Sequence, residues 1–150
     1  MTRMPVPSIR WLILCCLGFG ACAADDPDAE LRELVAAATA AAEARDTGHF
    51  RALLSDAYVD SSGRRKQDLT DLIRGYFFVT SDIDVVNRIQ QVTLNGDDAA
   101  EIVLQSGLLA RGRSGSILDL DGKLYRIELE LVRESGGWRI IGAQWERILE

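Results

Sequence analysis

Residues 123–150 read KLYRIELELVRESGGWRIIGAQWERILE, and the fold turns on this stretch. Tyr125, Ile127, Leu129 and Leu131 alternate with Arg126, Glu128 and Glu130, the period of a strand with one buried face. Ser135, Gly136 and Gly137 supply a reversal, because glycine takes positive φ without a steric penalty. Trp138 to Leu149 then reads as a second strand. Two long strands joined by so short a link predict an antiparallel hairpin, whose apolar face the remaining chain must cover. In the second strand Ile140 and Ile148 read as one face, and Ile141, Ala143 and Trp145 as the other. Both faces are then partly apolar, which predicts that something covers the outer one as well.

Working backward, Ile83–Leu94 and Ala99–Ala110 form another strand pair around the turn Asn95-Gly96-Asp97-Asp98. Arg111-Gly112-Arg113-Ser114-Gly115-Ser116 reads as a flexible basic loop. Leu69, Leu72, Ile73, Tyr76 and Phe77 recur at helical spacing, and Phe50, Leu53 and Leu54 mark a shorter helix. Between them, Tyr58 to Arg65 reads as a short extended piece and a turn. The first helix shows Leu31, Leu34, Val35, Ala38 and Ala41 or Ala42 on one face, with an alanine-rich middle that lets neighbours pack close. Asp25 or Asp26 serves as its N-cap, Pro27 suits its first turn, and Gly48 is the natural residue to end it near Asp46-Thr47-Gly48.

The N-terminus has a separate logic. Arg3 and Arg10 precede the apolar run Trp11–Gly20, which is too short to span a bilayer and fits a secretory segment. Phe19-Gly20-Ala21-Cys22 resembles a bacterial lipobox, with Phe where an aliphatic residue is usual. That resemblance implies lipidation of Cys22, and Ala23 after it implies sorting to the outer membrane. The competing reading is ordinary cleavage after Ala21-Cys22-Ala23, which yields a soluble periplasmic or secreted protein. The expected organisation is a signal peptide over 1–22, a tether over 23–27 and one domain over 28–150.

Composition narrows the function classes. A chain of 150 residues, 47% apolar and 27% charged, is one ordinary globular domain. Its net charge of −6, with only Lys66 and Lys123 as lysines, argues against nucleic acid as a partner. Cys15, Cys16 and Cys22 all precede the domain, so it can hold no disulfide, thiolate nucleophile or cysteine-based metal site. His49, the single histidine, cannot build a metal site unaided and sits where capping or solvent explains it. No cofactor motif is present.

Helices followed by long antiparallel strands predict an α+β domain. Its Ala44-Arg45-Asp46 helix end, Tyr58-x-Asp60-x-x-Gly63 segment, Leu72/Tyr76/Phe77 run, Gly136–Ile140 ending and late Trp145 resemble the nuclear transport factor 2-like family, including its SnoaL-like and ketosteroid-isomerase-like members. The resemblance spans residues 28–148. It implies a cone-shaped, cystatin-like roll, in which two or three N-terminal helices pack on a curved sheet of four long antiparallel strands. It also implies a pocket in the cone, and a second copy as the usual cover for the outer sheet face.

Within that frame Asp60 can be a general base with Tyr58 as its orienting donor, as in an isomerase, cyclase or dehydratase. Asp60-Ser61-Ser62-Gly63 is equally a plain Asx turn, the simpler assignment. Tyr58, Tyr76, Gln105, Tyr125, Gln144 and Trp145 are the candidate ligand-pocket residues, and Arg88 is a further polar strand residue. Alternation alone does not separate the two faces for these polar groups. The poverty of catalytic groups favours a non-enzymatic domain that binds a small apolar ligand or an envelope protein, held at the membrane through Cys22; a purely structural dimer, an envelope stress or immunity protein, is the further alternative.

Overall fold

The computed structural model describes residues 26–113 and 122–148. The apolar run Trp11–Gly20 read as a secretory segment, Cys22, loop residues 114–116 and Leu149 therefore lie outside the described residues. The elements run α1 (Pro27–Glu43), α2 (Thr47–Ala52), α3 (Lys66–Val79), β1 (Thr80–Leu94), β2 (Ala99–Gly112), β3 (Lys123–Glu134) and β4 (Gly137–Arg147). The strands form one antiparallel sheet in the order β1-β2-β3-β4, with the helices packed against it. This is the α+β roll expected from the sequence. Among the described residues no helix is long and apolar enough to cross a membrane.

Helix α1 begins where the sequence places it. The Asp26 carboxylate accepts from Asp28 N–H at 3.1 Å, and Pro27 occupies the first turn, where a missing N–H costs nothing. Leu31, Leu34, Val35 and Ala41 are buried against the sheet. The helix ends earlier than expected, and not at glycine. Arg45 takes the left-handed conformation (φ 54°), with Asp46 N–H bonded to Ala41 O and Arg45 N–H to Ala42 O. That double bond pattern is a Schellman cap, normally completed by glycine. Here the Arg45 guanidinium donates to Thr80 O at 2.7 Å, which offsets the strain by tying the helix end to the start of β1. Asp46 then caps α2 through His49 N–H, so Gly48 falls inside the next helix.

Bulges curve the sheet. The register slips by one residue near Ser81 and Gln90 on β1 and at Ile141 on β4. The β4 bulge corrects the face assignment made from simple alternation. Leu131 pairs with Ile140, Leu129 with Ala143 and Ile127 with Trp145, so these residues all share the concave, helix-facing side. Trp138 and Ile140 are buried there, and Ala143 packs against the same core. Ile148, whose N–H bonds to Leu124 O, lies beyond the bulge and does not share the face of Ile140. The apolar residues of β4 thus point inward. The exposed apolar side chains of the outer face come instead from β1 and β2, with Val86 71% and Leu109 55% exposed.

The free edge of β4 is partly covered by the segment after α2. Ser55 N–H bonds to Ile140 O, Val59 N–H to Ile141 O and Ser61 N–H to Ala143 O. This added ribbon holds the Tyr58–Asp60 segment in place.

Candidate functional site

The concave face carries a two-lobed apolar cleft. One lobe, about 180 Å³, lies between α1 and the sheet and is lined by Val35, Ala38, Ala42, Leu104, Ile127 and Leu129 among others. The second, about 270 Å³, lies between α3 and the ends of β1 and β2, with Ile73, Tyr76, Phe77 and Leu108 in its wall. Ala42 and Phe50 belong to both walls and so mark the junction. The room exists because α1 presents alanine, not leucine, at positions 38 and 42 of its inner face. The alanine-rich stretch leaves the space in which a ligand can lie.

Three polar residues interrupt the apolar lining of the first lobe: Thr39, Asn87 and Ser106. The Thr39 hydroxyl donates to Val35 O at 2.9 Å, the usual back-bond of a helical threonine. Its oxygen accepts from Asn87 Nδ2 at 2.7 Å. Asn87 Oδ1 is buried and has no hydrogen-bond partner among the described residues. Leaving such an acceptor bare costs about 1–3 kcal/mol. Ser106, 8% exposed, stands directly opposite Asn87 in the β1–β2 register.

Asp60 and Tyr58 lie elsewhere. Asp60 Oδ1 accepts from Ser62 N–H at 2.8 Å and Arg64 N–H at 3.0 Å, and Oδ2 accepts from Arg64 Nε at 2.8 Å. Its side chain is fully buried. Burial alone would raise this carboxyl. The Arg64 backbone N–H, its guanidinium and the Ser62 N–H outweigh that effect and hold it below the ordinary carboxylate value. The carboxylate thus closes the Asx turn and pairs with Arg64, whose guanidinium in turn lies 5.0 Å over the Trp145 ring. Tyr58 is buried in the main core, its hydroxyl without a hydrogen-bond partner among the described residues. Burial, with the Asp60 charge beside it, pushes its phenol well above the ordinary range. Neither residue lines the apolar cleft.

The other candidates scatter. Tyr76 lines the second lobe. Tyr125 is half-buried on β3, paired with Ser106 and Arg147, and lines neither lobe. Gln105 pairs with Arg88 and with Arg126, on the outer face. Gln144 donates to Glu128, a carboxylate that also accepts from Arg126 at 3.0 Å and is held below its ordinary value by these bonds. Trp145 is 39% exposed at the rim of β4. Asp60 and Gln144 both line a groove on the outer face, but Tyr58 does not join them there.

Asn87, Thr39 and Ser106 were not among the residues singled out from the sequence, yet a signal exists. Ile83, Val85, Asn87 and Ile89 share a parity, as do Ile102, Leu104, Ser106 and Leu108. A polar residue standing at an apolar parity marks an inward-facing polar group. Arg88 and Gln105 stand at the opposite one, whereas Gln144 shares the parity of Ile140 in sequence and is turned outward only by the bulge at Ile141.

A larger groove of about 410 Å³ crosses the outer face beside Glu101, Glu128 and Glu130. Three of its carboxylates have local partners: Asp60 holds Arg64, Glu128 holds Arg126 and Gln144, and Glu101 accepts weakly from Asn95. Among the described residues no group of three or more His, Cys, Asp or Glu is placed to hold a metal ion.

No family model matches the sequence, and neither does any curated protein. Solved structures do resemble it. A ketosteroid isomerase-like protein from Erwinia carotovora atroseptica superposes with a TM-score of 0.68 at 16% identity, covering 84% of this chain and 99% of its own. A putative dehydratase of the nuclear transport factor 2-like family from Streptomyces avermitilis gives 0.68 at 17% identity, covering 83% and 100%. A domain of unknown function with a cystatin-like fold from Nostoc punctiforme gives 0.66 at 12% identity, covering 83% and 78%. At these identities the likeness is one of architecture, and the fold of this chain is the nuclear transport factor 2-like, cystatin-like α+β roll.

Proposed function

We propose that this chain is a binding domain for a small apolar molecule, held in the concave cleft, and not an enzyme. One observation carries the reading. Among the described residues the cleft walls are apolar apart from Thr39, Asn87, Ser106 and Tyr76, and contain no carboxylate, histidine or cation. A general base has no residue to supply it there among the described residues, and the hydroxyls of Thr39, Ser106 and Tyr76 have none beside them to activate them as nucleophiles. A largely apolar pocket with a few convergent polar groups is the usual form of a small-molecule site. The isomerase-like and dehydratase-like neighbours favour a catalytic alternative, with Asp60 as base. That alternative requires Asp60 to leave Arg64 and the turn.

The test uses N-phenyl-1-naphthylamine, a neutral fluorescent probe. Ala42→Leu places extra methyl groups where the two lobes meet. Probe affinity falls by at least about tenfold, while the melting temperature holds or rises because space is filled rather than opened. Equal probe binding by both proteins would sink the reading.

The cellular setting is a second part of the proposal. The lipobox-like Phe19–Cys22 supports anchoring through acylated Cys22, with the domain carried on a short acidic tether. Cys22→Ser is then expected to move the protein from the membrane fraction to the soluble periplasmic fraction. A soluble wild-type protein would favour cleavage after Ala23.

A further inference from the structure

We infer that the cleft selects ligands presenting a neutral hydrogen-bond donor, an alcohol or phenol, to Asn87 Oδ1. This rests on the cleft being a ligand site. The orientation of the Asn87 amide follows from its neighbour. The Thr39 hydroxyl has one proton, and that proton goes to Val35 O at 2.9 Å. Its oxygen can therefore only accept from Asn87, which commits Nδ2 to the 2.7 Å contact. Oδ1 is thereby fixed as the outstanding group, an acceptor without a partner on the cleft wall.

The chemistry of selection follows. Oδ1 is already shut off from solvent and, among the described residues, bare in the free protein, so a ligand in the first lobe gains by bringing it a donor and gains nothing there without one. A hydrocarbon leaves it bare, and a ketone or ether brings a second acceptor against it. A carboxylate adds a charge to a wall without a cation among the described residues. A hydroxyl satisfies it, and Ser106, across the ladder, can donate back to the same oxygen. Thr39, on the same wall, acts as a positioning residue through Asn87, its hydroxyl being engaged with Val35 O and Asn87 Nδ2. Sites of this kind favour the ligand that carries the hydroxyl over the analogue that lacks it, because only the first satisfies their own polar group.

The experiment compares 2-naphthol with naphthalene by calorimetric titration of the mature domain. Naphthalene is the more hydrophobic, so burial alone favours it. The wild type is expected to prefer 2-naphthol by about tenfold, the factor that corresponds to about 1.4 kcal/mol. Asn87→Leu abolishes the preference and keeps naphthalene binding. Thr39→Val weakens the preference by freeing the amide to turn, and Thr39→Ser restores it. A wild type that binds both equally, with binding still blocked by Ala42→Leu, overturns the donor selection alone. A preference that survives Asn87→Leu overturns it too. If neither compound binds, the cleft reading falls together with this inference.

Discussion

Asp60→Ala is expected to lower the stability of the domain by about 2–4 kcal/mol in urea denaturation while leaving affinity for the apolar probe unchanged. Three accepted hydrogen bonds disappear with the carboxylate, from Ser62 N–H, Arg64 N–H and Arg64 Nε. The turn they close carries Ser61, whose N–H bonds to Ala143 O on the edge of β4. The low end of the range follows if Arg64, 32% exposed, finds water in place of its partner. Asp60→Asn should cost less, because an amide oxygen can still accept from the two backbone N–H groups while its NH₂ opposes Arg64. Tyr58→Phe should be neutral or mildly stabilising, since it removes a buried hydroxyl that has no partner among the described residues.

The pH dependence has a definite sign. The folded-state carboxyl of Asp60 lies below its ordinary 3.8, so its contribution is fully present above the unfolded value. It is lost as pH falls through the lower, folded-state value. Wild-type stability should therefore drop below about pH 4 more steeply than that of Asp60→Asn. Parallel curves, or a stability loss under about 1 kcal/mol for Asp60→Ala, would remove the structural role of this carboxylate. Loss of probe binding or of turnover by a stable Asp60→Asn protein would restore its claim to chemistry.

The fold was legible because the chain states it twice, in the alternation of Tyr125 to Leu131 and in the segregation of helices from strands. The outline of the Asp60 turn was legible too, since Asp-Ser-Ser-Gly satisfies its own backbone whatever surrounds it. The site was not, for a physical reason. A face is assigned by parity, and a bulge changes parity without changing composition. The extra residue at Ile141 made β4 seem apolar on both sides, and it places Gln144 on the outer groove instead of in the concave cleft. The end of α1 failed similarly. Local preference favours glycine at the left-handed position, but a contact 35 residues away, from Arg45 to Thr80, supplies what glycine would have. A cleft is also a deficit of volume. The alanines at 38 and 42 are visible in sequence, while the space beside them belongs to the packing of α1, α2 and the sheet together.

Parity on β2 predicts the largest loss of stability. Ile102 is fully buried, opposite Val92 on β1 and Leu129 on β3, and it joins the cluster that receives Leu31 and Leu34 from α1. Ile102→Ala removes three carbons from a region closed on every side, where neighbours can relax little. The expected cost is about 3–4 kcal/mol, the transfer term plus a cavity term. For a domain of this size that lowers the melting temperature by roughly 10–15 °C, a large share of the total stability. Leu109→Ala, on the same strand at the opposite parity and 55% exposed, should cost less than about 0.5 kcal/mol. The comparison holds strand, chemistry and nearly all of the side-chain volume constant and changes only the face. Urea melts of the two variants with unchanged m-values would place the difference in the native core rather than in the unfolded chain. Equal costs would mean that β2 does not present Ile102 inward and Leu109 outward. The concave cleft, with Ser106 at the parity of Ile102, would lose its wall.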